Sequence, residues 1–359
     1  MKNLDEEVDM KINNSGIVSY GVSIPRRRIS INTIASVWGK DGEQITSSLG
    51  LVEKTVPAPD EDTISLAMQS AKYAVDNISA KKLKIGAIYT GSESHPYAVK
   101  STSAIVGEAL GIGNSYTAAD TEFACKAGTA ALQMILGLSS SKMIEYGLAI
   151  GADTAQSRPA DALEYSAAAA GAAYLIGTDP KEIIANVLFS SSFTSDTPDF
   201  WRRGHELYPS HAGRFTGEPA YFKHVYAATK VILEESNYKP SDFAHAVFHM
   251  PNARFPQKAA KDLGFNAEQL RAGFTVPLLG NSYSACSLVG LAAVLDVAKP
   301  NEKIFVCSYG SGSGSDAFII ETTKNIKNYK NSQTVKEQIE NKTYVDYSYY
   351  ITSVGKIKL

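Results

Sequence analysis

Apolar positions in this 359-residue chain recur with two periods that alternate along it. Across 62–77 they fall at Ile64, Ala67, Met68, Ala71, Ala74 and Val75, the three- and four-residue steps of a helix face. The short apolar run 85–89 reads as a strand and opens into the polar loop GSESHPYA. A helix over 102–110 and a strand near 115–119 follow, and then the segment DTEFACKAG. From Ala127 the apolar residues Ala130, Ala131, Met134, Ile135 and Leu138 predict a one-faced helix starting close to Cys125, with a strand at 148–150 after it.

The second half repeats the order. A helix over about 218–236 leads to a strand at 246–248 that opens into HMPNARFPQKAA. The turn LLGNSYSACS feeds a helix with Leu288, Leu291, Ala292 and Leu295 on one face, and the strand 304–307 ends in YGSGSGSD. Alternating strands and helices define an α/β class. Sliding the halves by about 157 residues superposes one buried helix and its following strand on the other pair. Cys125 then falls beside Asn281 and Ser282, and Glu93 follows its strand as His249 follows its own. Duplicated strand–helix units bring equivalent strand ends to one central site.

Composition narrows the class. Apolar residues make up 44% and charged residues 20%, enough to bury a large core. Thirty-five basic and 37 acidic residues leave a formal charge of −2, which argues against a nucleic-acid or membrane-surface protein. The opening MKNLDEEVDM is acidic and has no apolar stretch, and the Ala-rich run 167–176 is far short of a membrane span. Three scattered cysteines without a CxxC make no disulfide framework, so a cytoplasmic, reducing compartment is expected. From Lys324 the chain carries seven Lys, three acids and five Tyr, and Tyr344, Tyr347, Tyr349 and Tyr350 predict packing rather than a free tail.

GIGNSY and GSGSGS both break the dinucleotide glycine pattern, WGKD lacks P-loop spacing, and neither HExxH nor paired Cys/His spacing occurs. Nucleotide cradles and metal chemistry are therefore not expected. Cys125 lies between a strand and a helix among the small residues Ala124, Ala127 and Gly128. A thiol at a helix N-terminus is favoured as thiolate, and free N–H groups there could receive an oxyanion. Taken alone it could equally be an inert buried cysteine. His249, Asn281 and Glu93 taken singly read as a structural histidine, a turn residue and a solvated carboxylate. Together on corresponding ends of duplicated halves, a Cys, a His and an Asn suit acyl-thioester chemistry.

The stretches GIVSYGVSIPRRRI, DTEFACKAGTAALQ, FHMPNARFPQKAAKDLGF, LLGNSYSACSLVG and YGSGSGSDAF resemble 3-hydroxy-3-methylglutaryl-CoA (HMG-CoA) synthase of the archaeal type, over about residues 16–359. The resemblance implies the thiolase fold, two similar βαβαβαββ halves stacked as αβαβα layers. It divides the chain into a loose extension at 1–13, halves at 14–180 and 181–323, and the Lys/Tyr-rich tail at 324–359 packed on the body. It makes Cys125 the acyl acceptor, Glu93 the general acid/base and His249 the residue that orients and protonates the second substrate's carbonyl. Asn281 and Ser311 would hold the acyl carbonyl, while Asp41, Gly42, Ser166 and Thr216 match ligand-contact positions. Arg214, Arg254 and Lys258 would meet the CoA phosphates or pantetheine. In the family motif a Lys precedes the Arg, whereas here Arg254 precedes Lys258, and Gly42 stands where Ala is usual.

The implied reaction joins acetyl-CoA, acetoacetyl-CoA and water into HMG-CoA and CoA through an acetyl-Cys intermediate, toward mevalonate and isoprenoids, with no metal or redox cofactor. The implied partners are a second copy in a homodimer, an acetoacetyl-CoA thiolase and a small OB-fold scaffold protein. Three rivals share the residues. A thiolase would use Cys307 as a second cysteine, and a Cys–His–Asn ketoacyl synthase would not need Glu93. A catalytically silent scaffold would leave Cys125 unacetylated.

Overall fold

The computed structural model describes residues 11–12, 14–78, 83–154 and 157–354, and of Arg214 the backbone alone. The expected loose extension at 1–13 lies outside the described residues except for Lys11 and Ile12, and Ile12 N–H donates to the Leu188 carbonyl at 3.0 Å.

Nine strands are hydrogen-bonded in series. In chain order they are β1 (Gly16–Ser23), β2 (Ile85–Gly91), β3 (Thr117–Thr121), β4 (Tyr146–Thr154), β5 (Ala169–Gly177), β6 (Ala185–Thr194), β7 (His245–Phe248), β8 (Lys303–Cys307) and β9 (Gly314–Thr322). Their spatial order is β7-β8-β9-β6-β1-β5-β4-β2-β3. In the first half β1 pairs antiparallel with β5 and β5 with β4, after which β4, β2 and β3 run parallel. The second half repeats this: β6 pairs antiparallel with β9 and β9 with β8, and β8 lies parallel to β7. The halves meet where Gly16 and Ile17 of β1 pair with Asn186 and Ala185 of β6.

Six helices cover these strands: α1 (Thr63–Asp76), α2 (Thr102–Leu110), α3 (Ala127–Ser140), α4 (Phe222–Ser236), α5 (Arg254–Asp262) and α6 (Cys286–Leu295). Every residue of α6 is buried, as expected for a helix apolar all round. Leu132, Ile135 and Leu136 of α3 share one core with Leu288, Leu291 and Leu295 of α6, sandwiched between the two halves. Leu66, Ala67 and Ala71 of α1 pack on the outer face of the first half, and Val225, Ala228 and Ile232 of α4 on that of the second. The result is the duplicated αβαβα layering of the thiolase fold.

The periodic elements form where the pattern places them, β3 two residues later than expected and α4 after a wider turn at Gly217–Tyr221. Strands β1, β5, β6 and β9 were not distinguished in the sequence. β1 and β5 are buried at every position, so neither shows the alternation of a half-exposed strand. The helix starts Ala127 and Cys286 also correct the duplication offset from about 157 to 159 residues. Each helix is preceded by a non-glycine residue in the left-handed region, Ala124 (φ 44°) and Tyr283 (φ 52°). Such a conformation costs about 1–3 kcal/mol and persists where packing imposes it. By this register Cys125 corresponds to Ser284.

Beyond Lys324 the chain folds back over the first half. Thr343–Tyr344 pairs with Arg27–Arg28, and Tyr350 of the helix Tyr347–Ser353 is buried.

Candidate active site

Three of the four chemistry-bearing residues follow strand ends on one rim. Glu93 comes two residues after β2, Cys125 four after β3 and His249 one after β7, while Asn281 enters the turn before α6. Close backbone approach joins these pieces. A Cβ on Gly91 would lie 2.1 Å from the Ala127 carbonyl carbon, and one on Gly128 2.5 Å from the Ser284 carbonyl oxygen. Only glycine lets the start of α3 sit this near β2 and the turn of the second half.

Cys125 is 5% exposed, and its thiol donates to Glu93 Oε1 at 3.4 Å. Burial, then the Glu93 and Asp153 charges, push the thiol pKa well above its ordinary value. This reverses the helix-dipole expectation. The Lys126 and Ala127 N–H groups donate to the Phe123 and Ala124 carbonyls, so neither is free for a thiolate or an oxyanion. Burial and the neighbouring Asp153 also push the Glu93 carboxyl well above the usual carboxylate range, opposed by the Cys125 hydrogen bond and Arg202. Burial pushes His249 down to about 3, so its imidazole is neutral at physiological pH.

A cavity of about 220 Å³ is lined by Cys125, Ser166, Thr216, His249, Asn281 and Ser311, with Leu49, Leu163, Phe200, Tyr283 and Tyr309 among its apolar walls. Several of these side chains are already engaged. Asn281 Oδ1 accepts from the Tyr283 N–H at 2.9 Å, which leaves its amide N–H groups as donors. The Ser311 hydroxyl donates to Asp199 at 3.2 Å, and the Thr216 hydroxyl donates to the Gly213 carbonyl at 2.8 Å.

The remaining candidates do not line this cavity, and Glu93 among them reaches it only through its hydrogen bond with Cys125. Asp41 is exposed and caps the helix Gly42–Leu49 by accepting from the Gln44 N–H at 3.0 Å, with Gly42 beginning that helix. Arg254 grips the other end of the same helix through the Ser47 and Ser48 carbonyls. Lys258 pairs with Asp262 at 2.5 Å and lies over the Phe222 ring. Arg214 falls in the turn Gly213–Thr216, and its side chain is outside the described residues. Cys307 and Cys286 are buried away from the cavity lining, their thiols near the Val225 and Met250 carbonyls. A thiolase's second cysteine is therefore missing from the cavity.

Sequence reasoning missed Asp153. This fully buried carboxylate accepts from Ser92 Oγ (2.6 Å), the Glu93 N–H (3.0 Å) and Ser94 Oγ (2.6 Å), and from the Ser284 N–H (2.8 Å) and hydroxyl across the halves. Its one sequence signal was an acid ending the apolar strand β4. His211 was missed as well. It lines the cavity and pairs with Asp161 at 3.1 Å. Among the described residues no group of three or more His, Cys, Asp or Glu could hold a metal ion, and no helix is long and apolar enough to cross a membrane.

A duplicated thiolase-type fold in which a buried cysteine, bonded to a half-buried carboxylate, shares one cavity with a neutral histidine defines an acyl-condensing enzyme of the acyltransferase kind. Residues 233–322 match the family described as 3-oxoacyl-[acyl-carrier-protein (ACP)] synthase III C terminal. The fold is similar to that of an HMG-CoA synthase solved with CoA, with a TM-score of 0.84 and 21% identity, covering 96% of this chain and 90% of that one. It is similar too to MvaS solved with 3-hydroxy-3-methylglutaryl coenzyme A, with a TM-score of 0.83 and 20% identity, covering 96% and 92%. Hydroxymethylglutaryl-CoA synthase of Archaeoglobus fulgidus is 56% identical over 343 residues, 96% of this chain and 99% of that protein. That of Methanosarcina acetivorans is 53% identical over 345 residues, again 96% and 99%. The chain belongs to the hydroxymethylglutaryl-CoA synthase family.

Proposed function

We propose that this enzyme condenses acetyl-CoA with acetoacetyl-CoA through an acetyl-Cys125 intermediate, supplying HMG-CoA to the mevalonate route to isoprenoids. The observation that carries this reading is the Cys125 thiol, which lines one cavity with His249 and Asn281 and donates to Glu93 just behind that lining. Cys125 attacks the acetyl thioester carbonyl. The S–CoA bond breaks, and the thiol proton leaves with CoA as its free thiol, with Glu93 the adjacent acceptor that can relay it. Glu93 then removes a proton from the acetyl methyl, and the resulting carbanion attacks the ketone carbon of acetoacetyl-CoA. The new alkoxide gains a proton through His249 that is made good by the one Glu93 took up, leaving Glu93 basic again. Water finally cleaves the Cys125 thioester and frees HMG-CoA.

His249 Nδ1 is buried without a hydrogen-bond partner. A lone pair is tolerated there better than an N–H, so the ring proton belongs on Nε2. A neutral imidazole at pKa about 3 stabilises the developing alkoxide as a hydrogen-bond donor. The Asn281 amide supplies a second donor, and the cycle as written needs no metal or redox cofactor. The test is incubation with acetyl-CoA, mapping of the acetylated residue, and then addition of acetoacetyl-CoA with HMG-CoA as the readout. Cys125 is the expected acetylated residue.

Arg254 and Lys258 are one helical turn apart on α5, whose Phe255 lines the cavity. In this reading they attract the CoA phosphates. Replacing both by Gln is expected to raise the KM for both thioesters, with a loss that grows as salt is lowered. Unchanged KM at low ionic strength excludes them from the site. Association as a homodimer, and with an acetoacetyl-CoA thiolase and an OB-fold scaffold protein, belongs to the same proposal and rests on family likeness.

A further inference from the structure

The C-terminal helix Tyr347–Ser353 lies nearly two hundred residues from the short turn Ala162–Tyr165, yet the two are joined through one buried carboxylate. Glu164 is 0% exposed. It accepts from the Tyr347 hydroxyl at 2.9 Å, the Trp38 indole N–H at 3.0 Å and the Ala160 N–H at 2.7 Å. Its backbone carbonyl accepts from the Lys54 ammonium, which also donates to the Tyr350 hydroxyl at 3.0 Å and sits 4.4 Å from that ring's centre. Two tyrosines of the tail thus grip the turn, one through its side chain and one through its backbone.

The other face of this turn is a wall of the cavity, contributed by Ala162, Leu163 and Ser166. Its far end is tied to the acyl site. The Ser166 carbonyl accepts from the Asn281 N–H at 2.7 Å, and the Asn281 carbonyl accepts from the Ala168 N–H at 2.9 Å. A Cβ on Gly280 would lie 2.8 Å from the Ser166 carbonyl oxygen, so the two strands of chain touch with no spare room. A path therefore runs from Tyr347 by a hydrogen bond to Glu164, along the backbone to Ser166, and by a hydrogen bond to Asn281.

We propose that Glu164, held by Tyr347 and Tyr350 of the C-terminal helix, is a positioning residue that sets Ser166 and Asn281 against the acyl group. The proposal rests on the condensation chemistry given above and adds a role for the tail in it. The physical reason is cost. A buried carboxylate that loses a donor is left under-satisfied, and the turn moves to recover one. Misplacement of a reacting group by about 1 Å can cost about 10²-fold in rate.

Three variants separate positioning from mere stability. Tyr347→Phe and Glu164→Gln each remove part of the path while keeping side-chain volume. Tyr344→Phe is the control, because Tyr344 lies on the same tail but its hydroxyl bonds Glu53 of the strand Glu53–Val56, which does not line the cavity. The condensation rate per acetylated Cys125 is expected to fall about 5- to 50-fold in the first two and to stay unchanged in the third. Amide hydrogen exchange at Asn281 and Ala168, read without any substrate, should speed about tenfold in Tyr347→Phe but not in Tyr344→Phe. Wild-type rates per acetylated site together with unchanged exchange would overturn the proposal, as would an equal loss in Tyr344→Phe. If the unsubstituted enzyme does not acetylate Cys125, the chemistry is wrong, and the exchange data still decide the path on their own.

Discussion

Cys125→Ala is expected to form no acetyl-enzyme at all, and HMG-CoA formation should fall at least about 10⁴-fold, because the proposed cycle carries the acyl group on this thiol. Only this thiol both faces the cavity and touches a carboxylate that can accept its proton. Cys286 and Cys307 serve as the internal controls. Burial pushes each up to about 12, and each faces a backbone carbonyl rather than the cavity. Their alanine variants should acetylate to the same stoichiometry as the parent. Mass mapping after brief exposure to acetyl-CoA reads the outcome directly. A stable acetyl group on Cys286 or Cys307 would move the site elsewhere.

Glu93→Gln should still acetylate Cys125, more slowly, and then stall. The Gln carbonyl can accept the thiol's hydrogen bond but cannot take a proton from the acetyl methyl. Loss of the base is expected to lower condensation about 10²–10⁴-fold, a larger loss than in the acylation step. The pH profile gives a second reading. Burial and Asp153 raise the Glu93 pKa, so its basic form is lost as pH falls through a value above the ordinary carboxylate range. Condensation by the parent enzyme should therefore rise with pH through that raised value. The limb should vanish in Glu93→Gln, where no carboxyl titrates at that place. A ketoacyl-synthase mechanism predicts indifference to the substitution, since His249 would carry the proton there. Near-parental condensation by this variant would rule out the cycle proposed above.

The candidate site's principal members were legible in the sequence for local reasons. Glu93 and His249 each follow an apolar strand, and Cys125 stands between a strand and an apolar-faced helix, with small residues flanking it where the chain must approach closely. Their electrostatic state was not legible. Cys125 stands just before a helix, and that alone argued for a thiolate. Burial and two carboxylates outweigh the helix N-terminus, whose first N–H groups are already bonded within the turn. The resemblance assigned Arg254 and Lys258 to CoA, but no local pattern showed that in the fold one clasps a helix end and the other pairs with Asp262.

Sequence by itself determined the periodic helices, the duplication and the order of the motifs, and it singled out Cys125 as the candidate nucleophile, because helix faces and turn chemistry depend on residues within a few positions of one another. Only the tertiary structure decided what those groups meet. Glu93 and Cys125 are 32 residues apart, Asp153 and Ser284 are 131 apart, and Glu164 and Tyr347 are 183 apart. Whether a carboxylate is solvated, shared or buried depends on such distant neighbours. Burial strengthens every Coulomb interaction and removes the water that would otherwise screen it, and a linear pattern carries no record of which distant charge that water has been exchanged for.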